Sequence, residues 1–250
     1  MKIKTRMLVF IALPILMAIL LIAGSSYVYS SRMVENLSKS EMLETAKKYG
    51  SNLETFIAKQ IANVDMLSDS ITMSELSDKE LYNELIYVTD KNSEILAAFA
   101  GFSDKRFFNG SQLPVPDDYD PTTRDWYKDS MKSDHPYVSI PYTDAASGDT
   151  VITISTQIKK DGKAIGVLGL DITMKTVNEL VNGIKLYDTG FAYIIDSEGY
   201  IVSYKDYEPS EEFGKIEDGS KADLVDTILE GNDETFYSVE DGVKRVNSKY

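Results

Sequence analysis

The chain contains no cysteine and only one histidine among its 250 residues. Disulfide pairing and thiolate chemistry are therefore excluded, and a histidine metal centre or proton relay has no second imidazole to build on. His135 precedes Pro136 in a polar stretch and reads as an exposed loop residue. Positive charge is scarce as well. With Lys2, Lys4 and Arg6 taken from the 26 Lys and Arg, the rest of the chain holds 23 basic against 40 acidic residues, a net charge of −17. Such a surface repels polyphosphate chains, which argues against a nucleic-acid partner. Gly-rich phosphate loops, Gly-x-Ser-x-Gly elbows and His/Cys clusters are all missing, so no cofactor or metal is expected.

What is present begins at the N-terminus. Residues 7–29, MLVFIALPILMAILLIAGSSYVY, carry no charge. At 1.5 Å per residue this run is long enough to cross a hydrocarbon core of about 30 Å, and Pro14 is tolerable in such a helix. Basic residues before it and acidic ones after it put residues 1–6 in the cytoplasm and the bulk of the chain outside. A cleaved signal peptide is the alternative, because Ala23, Gly24, Ser25 and Ser26 resemble a cleavage region. The run exceeds the usual apolar core of such peptides, which favours a retained anchor in the cell membrane. Either reading exports the remainder, and its 43% apolar content across the whole chain is enough to form a core.

From residue 32 to about 75, apolar residues such as Leu37, Leu53, Phe56, Ile57, Ile61, Val64 and Leu67 recur mostly at intervals of three, four or seven, the mark of one long amphipathic helix. Gly50 is its weak point. The helix reads equally as a signalling stalk that pairs with a copy of itself and as a helix packed on its own sheet. Residues 95–102, 137–143, 151–158 and 163–172 are strand-like, rich in β-branched and aromatic side chains. Asp161-Gly162 supplies the positive φ of a tight hairpin between the last two. The proline-containing stretch between the first two strands reads as a loop plus a short helix, capped by Thr122 or Thr123, forming a flap over the sheet. A linking helix at 174–186 leads to a hairpin at 191–204, a helix near 221–229 and a strand near 234–239. The sequence ends in mid-strand, as expected of a fragment. The divisions are thus 1–6 cytoplasmic, 7–29 transmembrane, 32–75 long helix, 76–185 membrane-distal module and 186–250 an incomplete membrane-proximal module.

The chemistry concentrates in Tyr119, Arg124, Trp126, Tyr127, Tyr142, Asp144 and Asp171. Tyr142 and Asp144 alternate along one strand, as a period of two demands. Asp171 closes an apolar strand; it is either a cap for the helix beginning beyond Thr173 or a polar group aimed into a pocket, and spacing favours the cap. A free amino acid loses hydration at both its carboxylate and its ammonium on entering a cleft. A guanidinium and an indole N–H suit the carboxylate, so Arg124 and Trp126 fit that end. Asp144, Asp171 and the rings of Tyr127 and Tyr142 suit the ammonium. Taken alone, RDWY also fits an aromatic helix face packed on a sheet.

The stretch from Tyr119 to Asp171 resembles the amino-acid-sensing motif of double-Cache domains, the extracytoplasmic sensors of bacterial chemotaxis receptors and sensor kinases. Tyr119, then RDWY, then Tyr142 and Asp144 in YTD, then Asp171 in GLD follow that family's order. The resemblance implies an α+β fold: a transmembrane helix, a long stalk helix and two PAS-like antiparallel modules. It also implies that Arg124 and Trp126 hold the ligand carboxylate, assisted by Tyr119, and that Tyr127, Tyr142, Asp144 and Asp171 hold the amine. A membrane-embedded homodimeric chemoreceptor is the expectation. The alternative is the sensor of a histidine kinase or diguanylate cyclase taking another small amine or carboxylate. An enzyme using Asp144 and Asp171 as an acid/base pair is disfavoured, because an arginine beside two acids favours the ionised state of both. An adhesion domain remains a third reading, distinguished by indifference to small ligands. Selection among side chains is expected from walls around Phe102, Phe107 and Ser139.

Overall fold

Side chains alternate across a strand, so a sheet covered on both faces must satisfy two different environments with every second residue. The computed structural model of the chain, which describes residues 3–74, 76–182, 190–204, 207–240 and 243–249, is organised around such a sheet. Two compact units are formed, residues 48–232 and residues 1–47 with 233–250.

The apolar N-terminal run and the amphipathic segment after it form one helix, α1 (Ile3–Ser74), with Pro14 inside and Gly50 causing no break. Among the described residues it is the one helix long and apolar enough to cross a membrane. A second helix, α2 (Asp78–Lys91), starts at a capping box: Glu80 N–H donates to Ser77 Oγ at 3.4 Å, and Ser77 N–H donates to Glu80 Oε2 at 2.9 Å.

The main sheet is antiparallel, in the order β2 (Phe107–Asn109), β1 (Ala97–Phe102), β6 (Lys163–Thr173), β5 (Thr150–Lys160), β3 (Tyr137–Val138), with β4 (Tyr142–Thr143) pairing further along β5. β5 and β6 form a hairpin whose loop residues Asp161 and Gly162 have φ of 51° and 75°, the expected positive values. The strand expected over 137–143 is split in two. Pro141 has no N–H to give a ladder, and the two pieces pair β5 separately.

One face of the sheet packs against helices. Ala98, Ala100, Phe102, Ile152, Ile154, Ile158, Leu168, Leu170 and Ile172 join Val64, Leu67 and Ile71 of α1 and Leu81 and Leu85 of α2 in the larger core. Phe102 therefore belongs to the helix side, its ring 4.7 Å from the Arg106 guanidinium, and does not wall the opposite face. Gln60 is fully buried on α1 and donates to Glu94 Oε2 at 2.7 Å, tying the helix to the chain just before β1.

The flap contains a 3-10 turn, Pro121–Thr123, followed by α3 (Asp125–Lys132). Neither Thr122 nor Thr123 caps α3: its N-cap position is Arg124, which makes no side-chain cap hydrogen bond. Asp120 caps the 3-10 turn instead, accepting from the Thr122 N–H at 3.0 Å and the Thr122 hydroxyl at 2.6 Å, because an Asx side chain one residue ahead of Pro121 reaches the free donors.

After β6, α4 (Met174–Asn182) is the linking helix; its expected last turn lies outside the described residues. The hairpin of β7 (Ile194–Ile195) and β8 (Ile201–Ser203) follows, then a short turn α5 (Ile216–Gly219) and α6 (Ala222–Glu230). In the other unit, β9 (Thr235–Glu240) and β10 (Val243–Ser248) form a hairpin. There the Tyr237 hydroxyl bonds Glu35, Lys39 Nζ lies 4.2 Å from the Tyr237 ring centroid, and Lys47 pairs with Glu234 at 2.9 Å.

Candidate functional site

The second face of the sheet is built from the alternate residues: Ala97, Phe99 and Gly101 of β1, Val167, Gly169 and Asp171 of β6, and Thr153, Ser155 and Gln157 of β5. Helix α3 is held above this floor by polar contacts. The Ser130 and Ser155 hydroxyls bond at 2.7 Å in full burial, and Gln157 Nε2 donates to the carbonyls of Ser130 and Met131 at 3.1 and 3.2 Å. Trp126, 2% exposed, packs edge-on against Phe99 with centroids 4.9 Å apart. Phe107 extends this aromatic layer to Tyr119, 4.7 Å away.

Asp171 lies in the middle of the floor, across from Ala97 on one side and Thr153 on the other, and is 3% exposed. It does not cap α4; the Thr173 hydroxyl does, accepting from the Thr176 N–H at 3.2 Å. Asp171 lies within the sheet, paired on both sides, whereas Thr173 is the last residue of β6 and stands directly before Met174 of α4. Two hydroxyls meet Asp171 Oδ1, from Thr153 at 2.5 Å and from Tyr142 at 3.4 Å, and those two hydroxyls bond each other at 2.7 Å. Burial pushes the Asp171 carboxyl up to about 8; the charge of Asp144 adds to the rise, while the Thr153 and Tyr142 hydrogen bonds and the Arg124 charge oppose it. The expectation that Arg124 keeps both acids ionised thus fails at Asp171, because desolvation outweighs the guanidinium.

Arg124 precedes α3 with an extended backbone (φ −80°, ψ 146°). Its guanidinium carbon lies 5.8 Å from the Tyr119 ring centroid and 5.9 Å from that of Tyr142. Among the described residues no carboxylate pairs with it. Tyr119 is pushed up to about 12, chiefly by burial, and Tyr142 is raised by burial and by the Asp171 charge. Both tyrosines also feel Asp144. Asp144 Oδ2 accepts from the N–H groups of Ala146 and Ser147 and from the Ser147 hydroxyl at 3.2, 2.7 and 2.8 Å, which closes the turn after β4 and leaves Oδ1 outside it.

Six of the seven residues thus converge on one face. Tyr127 is set apart. Its ring joins the aromatic layer, 5.7 Å from Trp126, but its buried hydroxyl has no hydrogen-bond partner among the described residues and senses Asp104 and Asp120 rather than Asp144 or Asp171. Two residues were missed from sequence. Thr153 is fully buried beside Asp171, and its N–H donates to Ser139 Oγ at 2.9 Å while its carbonyl accepts from the Ser139 N–H at 2.9 Å. Ser155, under Ser130, is the other. The available signal was the alternation T-x-S-x-Q in β5, which reads equally as a solvated strand face.

Among the described residues the arrangement offers a guanidinium without an ion-paired carboxylate and a carboxyl without an ion-paired cation, with Tyr142 between them: its ring lies beside Arg124 and its hydroxyl beside Asp171. A small molecule carrying both charges can satisfy the pair.

A Cache domain family model matches residues 30–246. Methyl-accepting chemotaxis protein McpC of Bacillus subtilis is 25% identical over 256 residues, covering 99% of this chain and 37% of that protein. TlpB of the same organism, also a methyl-accepting chemotaxis protein, is 30% identical over 202 residues, covering 78% and 30%. The chain therefore spans about a third of the length of these curated relatives. Among solved structures, the ligand-binding domain of Pseudomonas fluorescens chemoreceptor CtaA in complex with L-serine aligns with a TM-score of 0.71 at 24% identity, over 85% of this chain and 88% of that one. The ligand-binding domain of Pseudomonas aeruginosa PAO1 chemoreceptor PctB in complex with L-Arg aligns at 0.70 and 19% identity, over 86% and 88%. These alignments establish a shared fold.

Proposed function

The chain belongs to the Cache-domain family, and on that premise we propose that it is the ligand-sensing region of a transmembrane chemoreceptor that binds a free amino acid between Arg124 and Asp171. The observation that carries the reading is a half-buried guanidinium and a buried carboxyl that form no ion pair among the described residues, the one beside the ring of Tyr142 and the other beside its hydroxyl. Arg124 takes the carboxylate as parallel N–H donors, with Trp126 and the Tyr119 hydroxyl beside it. Asp171, Asp144 Oδ1 and the Tyr142 ring take the ammonium. Tyr127 contributes through its ring, in the layer that seats Trp126. The site lies within residues 76–185, the membrane-distal module, and residues 186–250 belong to a proximal one.

The family supports this ligand class: the CtaA domain binds L-serine and the PctB domain L-Arg. The curated relatives are methyl-accepting chemotaxis proteins, which favours that output over a kinase or cyclase. The apolar part of α1 with its basic N-terminal flank supports a membrane anchor and an extracytoplasmic sensor; the expected homodimer would pair along α1. Thermal melts of the chain in detergent against each of the twenty standard amino acids test the proposal. A rise in Tm for at least one, absent in Arg124→Ala, is the expected result; indifference to all twenty by a folded sample rejects it.

A further inference from the structure

We propose that Thr153 governs amine capture at this site: its hydroxyl holds the Asp171 carboxyl, which stands as a neutral acid before ligand arrives and releases its proton to solvent when an ammonium docks. The inference rests on the amino-acid reading above and adds to it a proton that must leave.

Geometry carries the argument. Asp171 is almost wholly buried on the sheet floor, and both hydroxyls that reach it, Thr153 and Tyr142, converge on Oδ1. Oδ2 is therefore the oxygen that remains to meet a ligand. The titratable and charged groups facing Asp171 are Tyr142 from β4, Asp144 from the turn after it, and Tyr119 and Arg124 from the segment leading into α3. β5 contributes the neutral Thr153, and β1 contributes Ala97. Of these only Arg124 is cationic, and it forms no ion pair with Asp171. Two hydroxyl hydrogen bonds do not compensate for the desolvation of a full negative charge, so the proton stays on the carboxyl. The rise of the Asp171 carboxyl to about 8 agrees.

An ammonium placed against Oδ2 reverses the balance. The carboxyl O–H bond breaks, its electron pair stays on oxygen, the proton passes to buffer, and a carboxylate–ammonium pair remains. Charge is conserved: one positive charge enters with the ammonium and one leaves as the proton. Thr153 sets the point at which this happens, because its hydrogen bond is the largest single influence favouring the ionised form. Its position is fixed from both sides of the backbone by Ser139.

The test titrates the full chain in detergent with each of the twenty standard L-amino acids by calorimetry, in phosphate and in Tris, at several pH values between about 6 and about 9. For any amino acid that binds, proton release predicts heats that differ between the two buffers, and a Kd that falls about tenfold per pH unit below pH ~8 and then levels. Thr153→Val moves the levelling point upward: binding is about tenfold or more weaker at pH ~7 yet approaches the wild-type value near pH ~9. Thr153→Ser restores the original profile. A purely structural role for Thr153 gives a loss independent of pH and overturns the proposal, as does a binder whose heat is the same in both buffers. Should the Val variant not fold, the wild-type and Ser heats still decide for or against proton release. No binder in the panel removes the amino-acid reading itself, a result separate from either of these.

Discussion

Trp126 rests on Gly101: a Cβ added at that glycine would fall 2.9 Å from Trp126 Cη2 and 2.8 Å from Pro121 Cβ. The absence of a side chain on the floor is what lets the indole and the start of the flap lie flat against β1. Gly169 does the same for the ring of Phe99, its cross-strand partner. Gly101→Ala is expected to lift α3, costing about 1–3 kcal/mol of stability and weakening amino-acid binding together. Urea unfolding and calorimetry on the same sample check both; unchanged affinity at lowered stability would separate the indole from the site.

Arg124 forms no ion pair among the described residues, so its removal should spare the protein and harm the ligand. For Arg124→Ala the expected stability change is within about 0.5 kcal/mol, as for a surface change, while affinity falls roughly ten- to hundredfold through the lost charge-assisted hydrogen bonds. A melt of the ligand-free variant that drops by many degrees would assign Arg124 a packing role.

The buried acid makes stability depend on pH in a direction opposite to that of a paired carboxylate. Asp171 rises from its ordinary 3.8 to about 8 on folding. Its contribution is complete below pH ~4 and is lost as pH climbs through ~8, since the unfolded chain gives up this proton first. Asp104 and Asp120, both lowered chiefly by hydrogen bonds from Arg106 and Lys105, act in the other direction. The difference between wild type and Asp171→Asn isolates the effect. It should shift steadily in favour of the variant between pH ~4 and ~8, by at most about 1.4 kcal/mol per pH unit. A constant difference across that window would mean that Asp171 is ionised throughout.

The capping box at the start of α2 is a local feature with a local cost. Ser77→Ala should destabilise the unit of residues 48–232 by about 1 kcal/mol, leaving ligand affinity intact, because α2 packs on the face of the sheet away from the site. Loss of affinity at full stability would contradict the separation of the two faces.

Much of this architecture was legible in the sequence because it follows from periodicity. The charge-free run and the three-and-four spacing after it read as helix and Asp161-Gly162 as a tight hairpin, and each takes that form. The failures share a cause. Asp171 before Thr173 reads as a cap because both residue types cap helices; what decides is where β6 ends, with Thr173 directly before Met174 of α4 and Asp171 two residues back, paired on both sides within the sheet. Thr122 and Thr123 looked like caps until Asp120, one residue ahead of the proline, took the donors. Thr153 drew no attention because alternate polar residues on a strand ordinarily face water; here α3 and the turn after β4 cover them, and covering is a property of the tertiary fold. Phe102 was assigned to the wrong face for the same reason, its parity matching Ala98 and Ala100 on the side of α1 and α2.

That parity has a spatial result. Asp171 is bonded on either side to Leu170 and Ile172, whose side chains cross to the opposite surface and lie in the same apolar core as Val64, Leu67 and Ile71 of the long helix. The floor that would hold a ligand and the core that holds the long helix are therefore one peptide apart in β6. The chemistry of the floor can be rewritten at the odd-numbered residues of β6 while the even-numbered ones keep their places in the core shared with α1 and α2.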